Sequence, residues 1–367
     1  MPEFDALMLV SFGGPEGPDD VMPFLENVLR GKNVPRERML EVSEHYQHFG
    51  GVSPINEQNR KLIAAIKEEL KNSDVDLPVY WGNRNWHPLI PDTLQEMKAA
   101  GHKRILCFMT SAFSCYSGCR QYREDLYRAQ EEMGDDTLEF FKIRKFFNHP
   151  GFVEPFAENV KKSLNRLANP TQAKILFTAH SIPDSMADNC RYEVQLRESC
   201  KLVAEQLGHS NFELVFQSRS GPPTQPWLEP DVCDRIKELH SESESLELVI
   251  APIGFVSDHM EVLFDLDTEA VDLCQELGIP MQRAATVGTH PRFIQMIREL
   301  IEERQSDNVE RLCLGSMGPN HDVCPKDCCL SGRPAGRPGA TAATGRPNGE
   351  GRPNGAGRPG SEGRPSA

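Results

Sequence analysis

The sequence predicts an α/β protein of two Rossmann-like domains, each a parallel sheet flanked by helices, with a cleft between them. Three observations predict it. Apolar runs of strand length alternate with helix-length amphipathic stretches at the spacing of βαβ units. The scheme runs through once and starts again near Lys174, so two similar halves are expected to face each other across a ligand-sized crevice. The chain, at 367 residues, is long enough for two such domains. The expected division is 1–167, 168–330 and a tail, 331–367.

Ala6 to Val10 (ALMLV) reads as a buried strand broken by Gly13-Gly14-Pro15, and Asp19 or Asp20 caps a helix to about Leu29. Strand, glycine turn and helix form a unit that can cradle a ligand, although a plain tight turn has the same signature. Tyr46 to Asn56 reads as a loop, with Pro54 opening a helix to about Leu70. Strands near Pro78–Trp81, Arg104–Thr110 and Leu138–Ile143 then alternate with helices near Pro91–Ala100, Arg120–Met133 and Gly151–Leu167. In the second half, strands end at Thr178, Gln217, Ile250 and Ala284, separated by helices near Tyr192–Leu207, Val232–His240 and Ser257–Glu276. A last helix runs from Pro291 to Glu303.

The tail repeats Gly-Arg-Pro six times with almost no apolar residue, so it cannot bury a core and is expected to be disordered. It holds six Arg against two Glu, which turns the chain's formal charge of −14 into −18 over the first 330 residues. Such a body repels nucleic acid and anionic surfaces except at a local basic patch. No run approaches the length of a membrane span, and Met1 to Ala6 is not a signal peptide, so a cytoplasmic monomer is expected. Eleven Cys without a secretory signal argue for reduced thiols or a metal site rather than a disulfide framework.

Chemistry concentrates in two segments. In Ser257 to Glu276 (SDHMEVLFDLDTEAVDLCQE) a helix places Glu261, Asp265 and Glu269 at i, i+4 and i+8, with Asp258, Asp272 and Glu276 on the same side. Like charges at that spacing destabilise a helix by roughly 0.2–0.5 kcal/mol per pair, so the pattern does not serve helix stability. Taken alone it also describes a solvated acidic face. In KILFTAHSIP, His180 stands at the carboxyl end of a buried strand stopped by Pro183, the edge where open α/β sheets bind ligands. A lone His there can equally be structural. Imidazole and carboxylates meeting in one cleft would suit a borderline divalent metal such as ferrous iron, and both accept protons.

Five segments, LVSFGGPEGPDDVMPFLENVLRGK, HFGGVSPINEQN, FTAHSIP, FQSRSGPPTQPWLEP and PIGFVSDHMEVLFDLDTEA, closely resemble ferrochelatases, in the right order from about Ala6 to Arg304. The chain looks most like the soluble bacterial branch that carries an iron–sulfur cluster. The resemblance implies ferrous iron inserted into a porphyrin held in the interdomain cleft, which requires two protons to leave the pyrrole nitrogens. It makes His180 the proton acceptor and metal-side ligand, Glu261 the carboxylate facing it, and Asp265 and Glu269 a continuation that conducts protons or metal. It also makes Phe12, Arg30, Tyr46, Ser53 and Tyr122 porphyrin contacts. Phe12 stands where some relatives have a metal-ligating side chain, and phenylalanine can only pack on the ring. Bland alternatives for the others are a helix start at Ser53, helix packing at Tyr122 and a helix-end charge at Arg30.

Cys324, Cys328 and Cys329 follow the last helix, where a structural cysteine has little core to join, and an all-thiolate site needs a fourth ligand. The resemblance points to Cys190 as that ligand and to a [2Fe–2S] cluster, with Cys119 as the substitute; zinc or unligated thiols are the alternatives. Two substrates fit the family. Arg30, Lys32, Arg36 and Arg38 make the Arg30–Asn59 stretch polar and cationic, which favours the tetra-anionic coproporphyrin III over membrane-partitioning protoporphyrin IX. A non-catalytic tetrapyrrole or iron carrier on the same scaffold is the reading from another class.

Overall fold

Apolar strand runs set the architecture. The computed structural model describes residues 4–31, 34–243, 245–306 and 308–332. The first half runs β1 (Ala6–Ser11), α1 (Val21–Val28), α2 (Arg36–His48), α3 (Ile55–Asn72), β2 (Val79–Asn83), α4 (Ile90–Ala99), β3 (Arg104–Met109), α5 (Gln121–Glu132), β4 (Glu139–Lys142) and α6 (Pro150–Leu164). The second half runs β5 (Lys174–His180), α7 (Asp184–Ala187), α8 (Tyr192–Leu207), β6 (Phe212–Gln217), α9 (Val232–Glu242), β7 (Leu248–Ala251), α10 (Met260–Phe264), α11 (Val271–Glu276), β8 (Met281–Arg283) and α12 (Pro291–Gln305).

Each half forms a four-stranded parallel sheet of the same order, β2-β1-β3-β4 and β6-β5-β7-β8. Helices cover both faces of such a sheet, which is why β1, β5 and β7 are mainly apolar rather than alternating; nearly all their side chains are buried. In this order the connections diverge between β1 and β3, and again between β5 and β7. The carboxyl ends beside those points are where α/β sheets take ligands. Phe12 follows β1 there, and His180 ends β5.

The two sheets fall on either side of residues 167 and 168, but the packing does not. Helix α6 lies against α8 and α12, α12 lies against α3, and one buried cluster runs from Leu7 and Phe108 through Phe152 to Phe177 and Phe293. Two further departures from the expected elements matter. The stretch around Tyr46 is the helix α2, whose Met39, Val42 and Tyr46 pack on Val21, Phe24 and Leu25. The acidic stretch is not one α-helix: α10 passes into a wider π-helical turn, Asp265–Ala270, before α11 resumes. The expected disordered tail lies outside the described residues.

Candidate active site

His180 is placed by its strand. The apolar run of β5 buries on both faces, Pro183 prevents its continuation, and the Tyr192 hydroxyl donates to the His180 carbonyl at 3.1 Å. Nδ1 hydrogen-bonds to the Ser181 carbonyl, so that nitrogen carries a proton. The ring turns Nε2 toward Glu261 of α10, whose carboxylate lies 3.7 Å away, the separation of an ion pair. His259 Nδ1 approaches the same carboxylate at 3.9 Å. Burial acts to lower the His180 pKa, but Glu261, the Ser181 carbonyl and Asp265 together outweigh it and raise it to about 9.

The ladder continues inward. Asp265 accepts hydrogen bonds from Ser218 Oγ and, at 3.2 Å, from Gln217 Nε2. Burial, with Glu261 and Glu269 nearby, pushes its pKa up to about 7 despite the Ser218 bond. Burial and Asp231 raise Glu269 as well. Ser218 sits at φ +60°, a left-handed conformation unusual for serine, directly after β6. Ser218 and Gln217, both in FQSRSG, are the donors to Asp265; the motif signalled the family, yet no residue in it stands out from spacing alone. Asp265 and Glu269 both lie in the wider π-turn, and such turns recur at functional sites. Asp258 is not part of the ladder: it precedes α10 and, with Asp267, pairs with Arg283 at 3.0 and 2.8 Å. Asp272 and Glu276 are exposed on α11.

The opposite wall comes from the first half. Phe12 is 36% exposed, edge-on to Phe24 at 6.2 Å, with the Arg84 guanidinium 6.0 Å from its ring. The chain turns at Gly13, φ +80°, and passes Gly14, where a Cβ would stand 2.6 Å from that of Ser53. Helix α2 reaches across to α10 through His45, stacked on Phe264 at 3.8 Å, and its Tyr46 packs on Phe24 at 5.7 Å. Arg30 is exposed beside Asn27. Ser53 and Tyr122, the other two expected ring contacts, are largely buried, 4% and 6% exposed. Ser53 backs Gly14, and Tyr122 carries the Arg84 guanidinium at 4.8 Å, itself paired with Asp125.

The thiols form a second site. Residues 311–332 fold back on the first half, tied by Leu314 N to Asn148 O at 2.8 Å, Lys142 Nζ to His321 O at 2.9 Å, and Arg120 Nη1 to Lys326 O and Cys328 O at 3.0 Å. This brings Cys324 into contact with Cys119, and Cys328 Sγ to 3.4 Å from Cys329 Sγ. His321, Cys324 and Cys328 offer donors within 4.8 Å of one another. Contact with Cys324 and the cations Lys145 and Lys142 hold the buried Cys119 thiol well below its ordinary value. The expected fourth donor, Cys190, instead donates to the Ala187 carbonyl at 3.5 Å, and burial pushes it up to about 12.

Fold and site define an α/β protein with an imidazole and carboxylates gathered at the carboxyl ends of its second sheet. The comparisons specify it. The model of the family described as Ferrochelatase matches residues 4–305, and the chain belongs to this family of lyases, which insert ferrous iron into a porphyrin. A protein named Ferrochelatase from Rhodopirellula baltica is 63% identical over 331 residues, covering 90% of this chain and 94% of that one. A Coproporphyrin III ferrochelatase from Streptomyces coelicolor is 49% identical over 364 residues, covering 93% and 96%. A solved chain titled SirB from Bacillus subtilis with Fe3+ shares 13% identity at a TM-score of 0.49, covering 84% of this chain and 99% of that one.

Proposed function

We propose that this chain metallates coproporphyrin III, with His180 accepting pyrrole protons and, with Glu261, meeting the incoming iron. The observation that carries this is the His180 Nε2 to Glu261 contact of 3.7 Å at the carboxyl end of β5, continued by Asp265 and Glu269. A carrier needs affinity for ring or metal, but not a base coupled to a line of raised carboxyls. The reaction releases two protons for each iron inserted. His180 takes a pyrrole proton on Nε2 once its own has passed to Glu261, and the ladder leads protons away from the ring. Phe12 and Tyr46 support the ring face, Arg30 offers a cation to a propionate, and Ser53 and Tyr122 hold Gly14 and Arg84 behind them.

The substrate choice rests on the entrance. Between Arg30 and Asn59, Leu40 and Val52 are the only exposed large apolar side chains among the described residues, too few for an apolar lip. Arg30, Arg36 and Arg38 are exposed there, with Arg38 paired to Glu41; Lys32 lies outside the described residues. Two relatives 49% identical to the chain carry the coproporphyrin name. Equal concentrations of coproporphyrin III and protoporphyrin IX competing for limiting Fe²⁺ without oxygen should give mostly the coproporphyrin product. An excess of the protoporphyrin product would overturn the substrate and leave the chelatase reaction standing.

For the thiols we propose a [2Fe–2S] group held by Cys119, Cys324, Cys328 and Cys329. The donor set fits: the thiols come in two adjacent pairs, one pair for each iron, and two thiolates on one tetrahedral metal sit about 3.8 Å apart. When bound, such a group supplies one-electron chemistry and a staple between Cys119 and the C-terminal segment.

A further inference from the structure

Behind the thiols lie two consecutive buried cations, Arg144 and Lys145, 1% and 2% exposed. Arg144 is matched: it donates to the Glu303 carboxylate at 2.7 and 2.8 Å and to the Leu312 carbonyl at 2.8 Å. Lys145 has no such partner. Its Nζ donates to two backbone carbonyls, Ser111 at 2.9 Å and Gly118 at 2.7 Å, and it makes no ion pair with a carboxylate among the described residues. An ammonium taken out of water without a counter-charge loses several kcal/mol of hydration, which two carbonyl dipoles only partly replace. The groups around it that can become anionic are thiols: Cys119, Cys115 and Cys329.

The carbonyls it holds are the two ends of the loop that presents Cys119. That loop is drawn tight, with Gly118 N donating to Cys115 Sγ at 3.1 Å, and a Cβ on Gly118 would stand 2.6 Å from Ser111 Oγ. Gly118 immediately precedes Cys119. We infer that Lys145 is the buried counter-cation of an anionic group held by these thiolates, and the residue that positions the Ser111–Gly118 loop to receive it. This rests on the iron–sulfur reading, since a [2Fe–2S] group on four thiolates is a dianion that gains a further negative charge on reduction. The buried lysine thus favours loading, and it favours the reduced state over the oxidised one. It touches neither the porphyrin wall nor His180, so it is a positioning residue rather than a catalytic one.

The test compares wild type, Lys145→Met and Lys145→Arg, purified without oxygen, by iron and acid-labile sulfide per chain, visible circular dichroism and midpoint potential. Lys145→Met should lose most of its iron and sulfide, or hold them at a more negative potential. Lys145→Arg should recover part of the loss. A methionine variant with wild-type content and potential overturns the assignment. Should Lys145→Met fail to fold, hydrogen exchange on the wild-type chain before and after stripping the metal decides: protection of the Ser111–Gly118 loop must fall on stripping, and unchanged protection overturns the role. Wild-type protein holding zinc without sulfide would end the iron–sulfur reading alone, and zinc content across the three chains would then test the lysine.

Discussion

His180 is held between opposing forces, and the balance predicts its behaviour. Burial disfavours the imidazolium, Glu261 and Asp265 favour it, and the result is a free site protonated up to about pH 9, with Asp265 protonated up to about 7. A group that must accept a pyrrole proton has first to lose its own, so kcat/KM should climb with pH between about 7 and 9. Glu261→Gln removes the main support of the imidazolium. It should move the rising limb to lower pH even as the rate falls, and a limb that stays in place would detach Glu261 from the histidine. His180→Ala should cut metallation by about 10²–10⁴-fold while porphyrin binding, followed by fluorescence quenching, survives. The same shift has a stability signature. Because the folded value lies above the ordinary 6.5, the pair stabilises the fold fully below pH 6.5, and that contribution disappears as pH rises through about 9. Thermal melts of wild type and Glu261→Gln should therefore converge on the alkaline side.

At the scale of elements, the turn after β1 and the C-terminal cysteine segment place the site. A Cβ on Gly14 would stand 2.6 Å from Ser53 Cβ and 2.8 Å from Ile55 Cγ2, and Ser53 is fixed by its backbone bond to Pro15. Gly14→Ala should destabilise the protein by about 1–3 kcal/mol, read from a urea midpoint, and weaken porphyrin binding with it. In the cysteine segment, Cys119→Ser and Cys324→Ser should each bleach anaerobically purified protein, whereas Cys190→Ser should leave it coloured; the reverse result would return the fourth ligand to Cys190. These elements also show what a sequence makes legible. The strands and His180 were readable because a parallel sheet buried on both faces demands apolar runs, and those runs end where ligands bind. Helix α2 was not, since RERMLEVSEHYQH is polar over most of its surface and packs through a thin stripe of Met39, Val42 and Tyr46. The π-turn left no mark because it is a choice of hydrogen-bond partner, not of residue type. Cys190 was singled out by the family resemblance, with Cys119 as the substitute. Cys119 reaches Cys324 only through the fold, by way of the Arg120 and Lys142 ties to the returning segment.

At the scale of the molecule, the question is whether two repeated sheets make two independent domains. The segment after β4 is pinned to α12 by the Arg144–Glu303 pair, both side chains 2% exposed or less. Arg298 on α12 reaches Glu69 on α3 at 2.8 Å, and Asn159 on α6 donates to the Ala285 and Thr286 carbonyls at 3.1 and 3.0 Å. On the proposed ring placement, with Glu261 at one face and Phe12 at the other, such ties matter because small rotations between halves would spoil both contacts at once. Glu303→Gln keeps the shape of the pair and strands the Arg144 charge, which should destabilise the protein by about 3–5 kcal/mol. The form of the transition is the stronger test. Trp81 and Trp86 report on the first half and Trp227 on the second, so tryptophan fluorescence and far-UV circular dichroism sample different parts of the fold. Both should give one coincident urea transition in wild type, shifted to lower urea but still coincident in Glu303→Gln. Two separated transitions in the variant, with one matching the wild-type midpoint, would show that the second half unfolds by itself and that the buried pair does not couple the walls of the cleft.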